Sequence, residues 1–244
     1  MTTYEMHIPG EVCNYIIKTL RITPKEIVFT KLCEFILEQA SKQLDPQRKG
    51  IAIVVAQCMP PSHGKVRTLR ETIGLGTAPW GHDSGQSFRL LGIESLAGSA
   101  VAEGGLKSNR NLTDTSSRQA GYRDRWEMSA AATPIMRAGE IAGVLLASST
   151  QPDYFTEPLN DLLEQYAGWL ALLYENKDFY PAQDIALNAL PSYDKQRMLL
   201  ANFSQRVAGI MTGQAQDGHP ITVDQAEYIV WQQIEAELLS SITS

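Results

Sequence analysis

The sequence predicts an α+β fold in which hairpin-forming strands occupy the middle of the chain and helices occupy both ends. Three observations lead there. Apolar residues recur at helical spacing over residues 28–39, over 159–173 and again over 199–238. Between these stripes lie short runs of β-branched or small apolar residues, at 51–56, 128–136 and 141–148, each bounded by turn-forming residues. The chain has 244 residues, 43% hydrophobic and 20% charged, which is enough for one large core or a modest domain with additions. The same composition excludes a disordered chain, a collagen-like repeat or a small disulfide scaffold.

Each element has its own signals. Residues 1–24 read as an N-terminal helical extension. Thr23-Pro24-Lys25-Glu26 predicts a helix start, with Thr23 as N-cap and Glu26 closing a capping box. Val28, Leu32, Phe35, Ile36 and Gln39 then share one face. Asp45-Pro46 and Gly50 end that helix, and Ile51–Ala56 is strand-like. Met59–Gly64 is a turn by composition, so Lys65–Ile73 becomes the second arm of a hairpin, and Gly74–Gly85 reads as loop. Ser87–Ile93 is a further strand candidate, and Ser95–Val101 a short helix stopped by Gly104-Gly105.

Residues 109–127 are polar and predict a long irregular connection. Such loops exceed the roughly 12–15 residues usual in compact domains unless they bind something or are disordered, and Tyr122 and Trp126 favour binding. Met128–Met136 and Ile141–Ser148 form a second hairpin through Arg137-Ala-Gly139-Glu140. Leu159, Leu162, Leu163, Tyr166, Leu170 and Leu173 make the cleanest helical stripe, and two prolines interrupt residues 177–192. Leu199, Phe203, Val207 and Ile210 predict one further helix. After a turn over 213–220, Thr222-Val-Asp-Gln225 opens another with a capping box, along which Val223, Ala226, Val230, Ile234 and Leu238 form a stripe.

Charge and cysteine usage narrow the classes of function. The 21 basic and 27 acidic residues leave a net charge of −6, so no general field draws nucleic acid or anionic lipid. Residues 181–244 are the most acidic part, which opposes a DNA-reading helix pair there and favours a protein partner or a second copy of the chain. The same stripe would also serve packed back on its own domain. Cys13, Cys33 and Cys58 match neither a C-x-x-C pair nor an even-numbered secreted framework. With no basic-then-apolar leader and no apolar run of membrane-spanning length, the expected location is the cytoplasm, without a membrane partner. The four histidines have no partner at helical spacing, so no metal site is expected, and no G-x-S-x-G nucleophile elbow occurs.

Two stretches carry a family resemblance. Leu96-Ala-Gly-Ser-Ala-Val-Ala-Glu-Gly104, followed by Asn111-Leu-Thr-Asp114, resembles the glycine-bounded helix and following strand of GAF domains. Ser129–Ile135 with Gly139, Ile141–Leu146, Ser148, Pro152 and Phe155 resembles the paired strands of the same family, and the Leu159–Tyr174 helix completes the pattern. The resemblance covers roughly residues 25–175. It implies a GAF-like domain over 25–176, with a six-stranded antiparallel sheet, the first and last helices on one face, and long connections roofing a pocket on the other. Residues 177–244 then form a C-terminal helical region.

As a GAF-type protein, the chain is expected to be a non-catalytic sensor or regulator that binds a small molecule and signals through its terminal helices to a partner or a homodimer mate. The expected ligand-binding residues are Trp80, His82, Phe88, Asp114, Tyr122, Arg123, Trp126 and Ser129. For the aromatic residues the alternative is ordinary loop packing. For the arginine group it is a solvated loop neutralised by Asp114, Asp124 and Glu127. The cofactor is left open, but a covalent bilin is disfavoured, because no cysteine follows Cys58. Two other readings remain: an interaction scaffold with a vestigial pocket, and a thiol-dependent enzyme resembling the free methionine sulfoxide reductases of the family. The last would need two adjacent thiols on the pocket-side connections, whereas all three cysteines lie in or before the first strand.

Overall fold

The computed structural model of the chain describes residues 8–81, 89–112 and 124–241. The chain divides into two compact units, Met1–Leu187 and Asn188–Ser244. The first begins with helices α1 (Gly10–Ile22) and α2 (Lys25–Leu44). Thr23 does not cap α2. It is extended, with φ −96° and ψ 135°, and its N–H donates to the Thr19 carbonyl at 3.0 Å, so it closes α1 and leaves Pro24 at the N-cap of α2. Beyond α2 the Asp45 carboxylate accepts the Lys49 and Gly50 N–H groups at 2.7 and 2.9 Å and the Thr77 hydroxyl at 3.1 Å, which ties the helix end to the sheet.

The sheet comprises β1 (Ile51–Cys58), β2 (Leu69–Gly76), β3 (Leu90–Leu91), β4 (Lys107–Asn109), β5 (Ser129–Arg137) and β6 (Glu140–Ser149). Its order is β3-β2-β1-β6-β5-β4, antiparallel throughout, which is the α+β architecture and strand count expected. A seventh strand, β7 (Tyr180–Pro181), pairs with β6 where β1 has ended. β2 starts later than its composition suggests and runs on into residues read as loop. Gly74 and Gly76 pair with Val54 and Ala52, because a strand ladder is made by the backbone and tolerates missing side chains when a neighbour supplies the packing. The β5–β6 hairpin turns on Ala138 and Gly139, at φ +53° and +84°, the positive pair that a two-residue type I′ turn requires.

Helix α4 (Glu157–Ala171), α1 and α2 cover one face of the sheet. There Ile16, Leu32, Ile36, Leu162 and Tyr166 pack on Ile51, Ile53, Val55 and Leu145. The short helix α3 (Leu96–Glu103) lies on the opposite face, so the helices are not all on one side. Ser95 caps α3 by accepting the Gly98 N–H at 2.9 Å, and Gly104 ends it at φ +67°. Gly98 faces the Gly92 backbone so closely that an added Cβ would stand 1.9 Å from the Gly92 carbonyl oxygen.

The second unit is helical, with α5 (Tyr193–Leu200), α6 (Phe203–Gln216) and α7 (Val223–Ser240). The single helix expected over 199–210 is two, because Asn202 leaves helical geometry at φ −102° and ψ 14°. The expected capping box is present: the Thr222 hydroxyl accepts the Gln225 N–H at 3.3 Å, and the Gln225 side-chain Oε1 accepts the Thr222 N–H at 2.9 Å. Ala226, Val230, Ile234 and Leu238 are buried as the stripe predicts, whereas Val223 is exposed. Arg206 grips Glu237 with two bonds of 2.8 and 2.9 Å and so joins α6 to α7.

Candidate functional site

The sheet face away from α2 and α4 has a distinctive floor. Residues paired across antiparallel strands project to the same face. Ala52 pairs with Gly76 and Ser148, Val54 with Gly74 and Leu146, and Ala56 with Glu71 and Val144. On β5, Ala130 and Ala132 continue the same rows. Across four strands this face therefore carries glycine, alanine or serine at most positions near the β2–β3 and β4–β5 connections. Helix α3 packs on part of it, against Ala56, Ala132 and Val144.

Two polar pairs stand on this floor. Arg89, just before β3, donates from Nε to Glu71 Oε1 at 2.9 Å, and the Glu71 N–H donates to the Arg89 carbonyl at 3.0 Å. Glu71 is buried and its guanidinium partner nearly so. Ser148 Oγ donates to Glu127 Oε1 at 2.6 Å, and the Glu127 N–H donates to the Asp124 carbonyl at 3.1 Å. Burial raises both carboxyls above the ordinary carboxylate range. Arg89 opposes the rise at Glu71, the Ser148 hydroxyl and Arg89 oppose it at Glu127, and the Glu127 charge adds to it at Glu71. The three charged groups thus form one electrostatic unit, reached from β2, β3 and the segment entering β5.

Trp80 packs over the bare Gly76: a Cβ placed on that glycine would stand 2.7 Å from the Trp80 Cβ. Trp126 is exposed, with the Arg125 guanidinium 4.5 Å from its ring centre. Ser129 projects to the other face of the sheet, paired with Ser149, and its buried hydroxyl donates to the Gln151 carbonyl at 2.7 Å. The hydroxyl on the candidate face belongs to Ser148. The other expected site residues, His82, Phe88, Asp114, Tyr122 and Arg123, lie outside the described residues. Glu71 and Arg89 were not singled out from the sequence, and Glu127 and Ser148 entered only as a neutralising loop acid and as part of the paired-strand resemblance. The available signal was an acid inside a strand run, Leu69-Arg-Glu71-Thr-Ile, but its partner stands 18 residues away.

Of the three described thiols, Cys13 is half-buried on α1. Cys33 is buried in the core beneath the helices, while Cys58 packs at the edge of the cluster on the opposite face. Burial pushes both up to about 12. Since the thiolate is the reactive form, neither is prepared to attack sulfur near neutral pH. No group of three or more potential metal ligands occurs among the described residues. Among them, too, no helix is long and apolar enough to cross a membrane.

No family model matches the sequence, and no curated protein matches it either. Solved structures do resemble the fold, and several are GAF domains. One is the GAF domain of an Acinetobacter phosphoenolpyruvate-protein phosphotransferase, 14% identical over 67% of this chain and 90% of that one, with a TM-score of 0.47. Another is the GAF domain of a two-component sensor histidine kinase from Bacillus halodurans, 20% identical over 59% of this chain and 95% of that one, with a TM-score of 0.42. A free methionine-R-sulfoxide reductase from Neisseria meningitidis is 12% identical over 71% of this chain and 95% of that one, with a TM-score of 0.45. Regulatory domains and an enzyme both stand among these folds.

Proposed function

We propose that this chain is a cytosolic, non-catalytic sensory or regulatory module of GAF type, which binds a small polar molecule over the small-residue face of its sheet and passes occupancy to a partner or a second copy through its terminal helices. The observation that carries the reading is the pair of polar contacts on that floor, Arg89 to Glu71 and Ser148 to Glu127. A guanidinium, two carboxyls of raised proton affinity and a hydroxyl, gathered above a surface with few side chains, offer both donors and acceptors to a compact ligand. Trp80 and Trp126 are its proposed walls, together with His82, Phe88, Asp114, Tyr122 and Arg123 in the two adjoining connections. Those connections lead directly into Arg89 and Glu127, which places both polar pairs at their roots.

Association through the helices has its own support. Tyr15, Ile17, Leu20, Ile22 and Ile27 are exposed on α1 and the start of α2, a concentration of large apolar side chains suited to a protein contact. A thiol-enzyme reading finds no comparable support, since burial pushes the Cys33 and Cys58 thiols up, these two lie on opposite faces of the sheet, and Cys13 stands on α1.

The test is a thermal-shift screen of the full chain against a panel of polar metabolites. One compound is expected to raise the melting temperature, since ligand at 100 times its Kd stabilises by about 2.7 kcal/mol. Trp80→Ala and Arg89→Lys should each remove most of that rise. A panel without a binder, combined with loss of self-association or partner binding on deleting residues 188–244, would instead establish the scaffold reading.

A further inference from the structure

The segment after α4 returns to the sheet and lies on the same side as the candidate site. Tyr180 and Pro181 pair with Ile141 and Glu140 on β6. The Val66 N–H then donates to the Asp184 carbonyl at 2.9 Å, and the Ala186 N–H donates to the Val66 carbonyl, also at 2.9 Å. Lys65 Nζ donates to the Gln183 carbonyl at 2.6 Å and meets Asp184 Oδ1 at 3.3 Å. Ile185 and Leu187 pack, half-buried, against the cluster that contains Ala56, Leu69, Leu91 and Val144.

Leu69 and Leu91 are paired across β2 and β3, each two residues from one member of the Glu71/Arg89 ion pair. Residue 187 is also the last of the first unit, so the chain enters the second unit directly from this docked segment. Besides the two-residue pairing with β6, two backbone bonds around Val66, the Lys65 contacts with Gln183 and Asp184 and two half-buried side chains hold it. Segments held by short pairings and half-buried side chains open locally at lower free energy than the sheet they rest on.

We propose that residues 180–187 are a transmission strap, docked when the Glu71/Arg89 pair holds β2 and β3 in register and released when that pair is disturbed, so that residues 188–244 receive the state of the site through the freedom of their own connection. The strap rests on the proposed sensory reading for its purpose, but its coupling to the ion pair is a property of the protein without ligand. Because the coupling is an equilibrium one, it has to work in both directions: loosening the strap must loosen the pair by the same factor.

Amide hydrogen exchange on the full chain tests this. In the wild type the Val66 and Ala186 amides are expected to exchange about 100-fold faster than the slowest amides of β1 and β6. Replacing the pair with Glu71→Gln and Arg89→Gln together should speed both by about tenfold further, leaving β6 unchanged. In Ile185→Ala, the Glu71 amide, which donates to the Arg89 carbonyl, should accelerate likewise. Strap amides that exchange as slowly as the core, or that ignore the double replacement, would overturn the proposal. Should the double variant fail to fold, an unchanged Glu71 amide in Ile185→Ala overturns it alone. A metabolite panel without a binder removes the sensory reading and leaves these exchange rates unaltered, so the two failures are separable.

Discussion

Glu127 stands just before β5 with its carboxylate accepting the Ser148 hydroxyl, and desolvation lifts its proton affinity above the ordinary carboxylate range against the opposing pull of Arg89. The consequence for stability has a definite sign. A carboxyl that binds its proton more tightly folded than unfolded contributes stability fully below the ordinary carboxylate range, and that contribution is lost as pH rises through the raised value. Glu71 acts in the same direction. Glu127→Gln should therefore flatten the loss of stability as pH rises from the ordinary carboxylate range toward neutrality, measured as urea midpoints across that span. A variant with the wild-type pH dependence would show that the Glu127 carboxyl is not desolvated in solution. At this scale the sequence was least informative. An acid in a strand or beside one is common on solvated faces, and only the register that places Glu71 opposite Ala56 on the floor reveals that Glu71 is buried.

Elements whose signals were local were legible in advance. The Thr222 capping box, the Ser95–Gly104 helix and the Ala138-Gly139 hairpin all formed where residue order predicts them, since caps and two-residue turns are decided by neighbours in the chain. Errors arose where a distant partner decides. Thr23 was spent on closing α1, and Gly74 and Gly76 became strand because β1 lay alongside. Gly98 belongs to the second kind. Within a helix Gly→Ala would ordinarily gain about 1 kcal/mol. Here the new methyl would meet the Gly92 carbonyl at 1.9 Å, so α3 would have to move off the sheet. Gly98→Ala is expected to destabilise the protein by about 2 kcal/mol net in urea unfolding, the range found for overpacked sites. A neutral or stabilising result would mean that α3 is free to shift at little cost.

At the scale of the molecule, the chain divides after Leu187 into two compact units, with sheet and helices packed together in the first and Val207, Ala226, Val230, Ile234 and Leu238 buried in the second. A chain ending at Leu187 should accordingly retain a cooperative thermal transition, because none of the buried sheet or helix contacts described for residues 8–187 is removed. A truncated chain that melts without cooperativity would show the two units to be one folding body. By itself the sequence determined the α+β class, the hairpins, the helical stripes and the acidic helical end, because periodicity, turn chemistry and composition act over short stretches of chain. Tertiary structure alone decided which face of the sheet each side chain occupies. That depends on register between strands far apart in sequence, and a shift of one residue would exchange Ser148 for Ser149 and remove the candidate site from its floor.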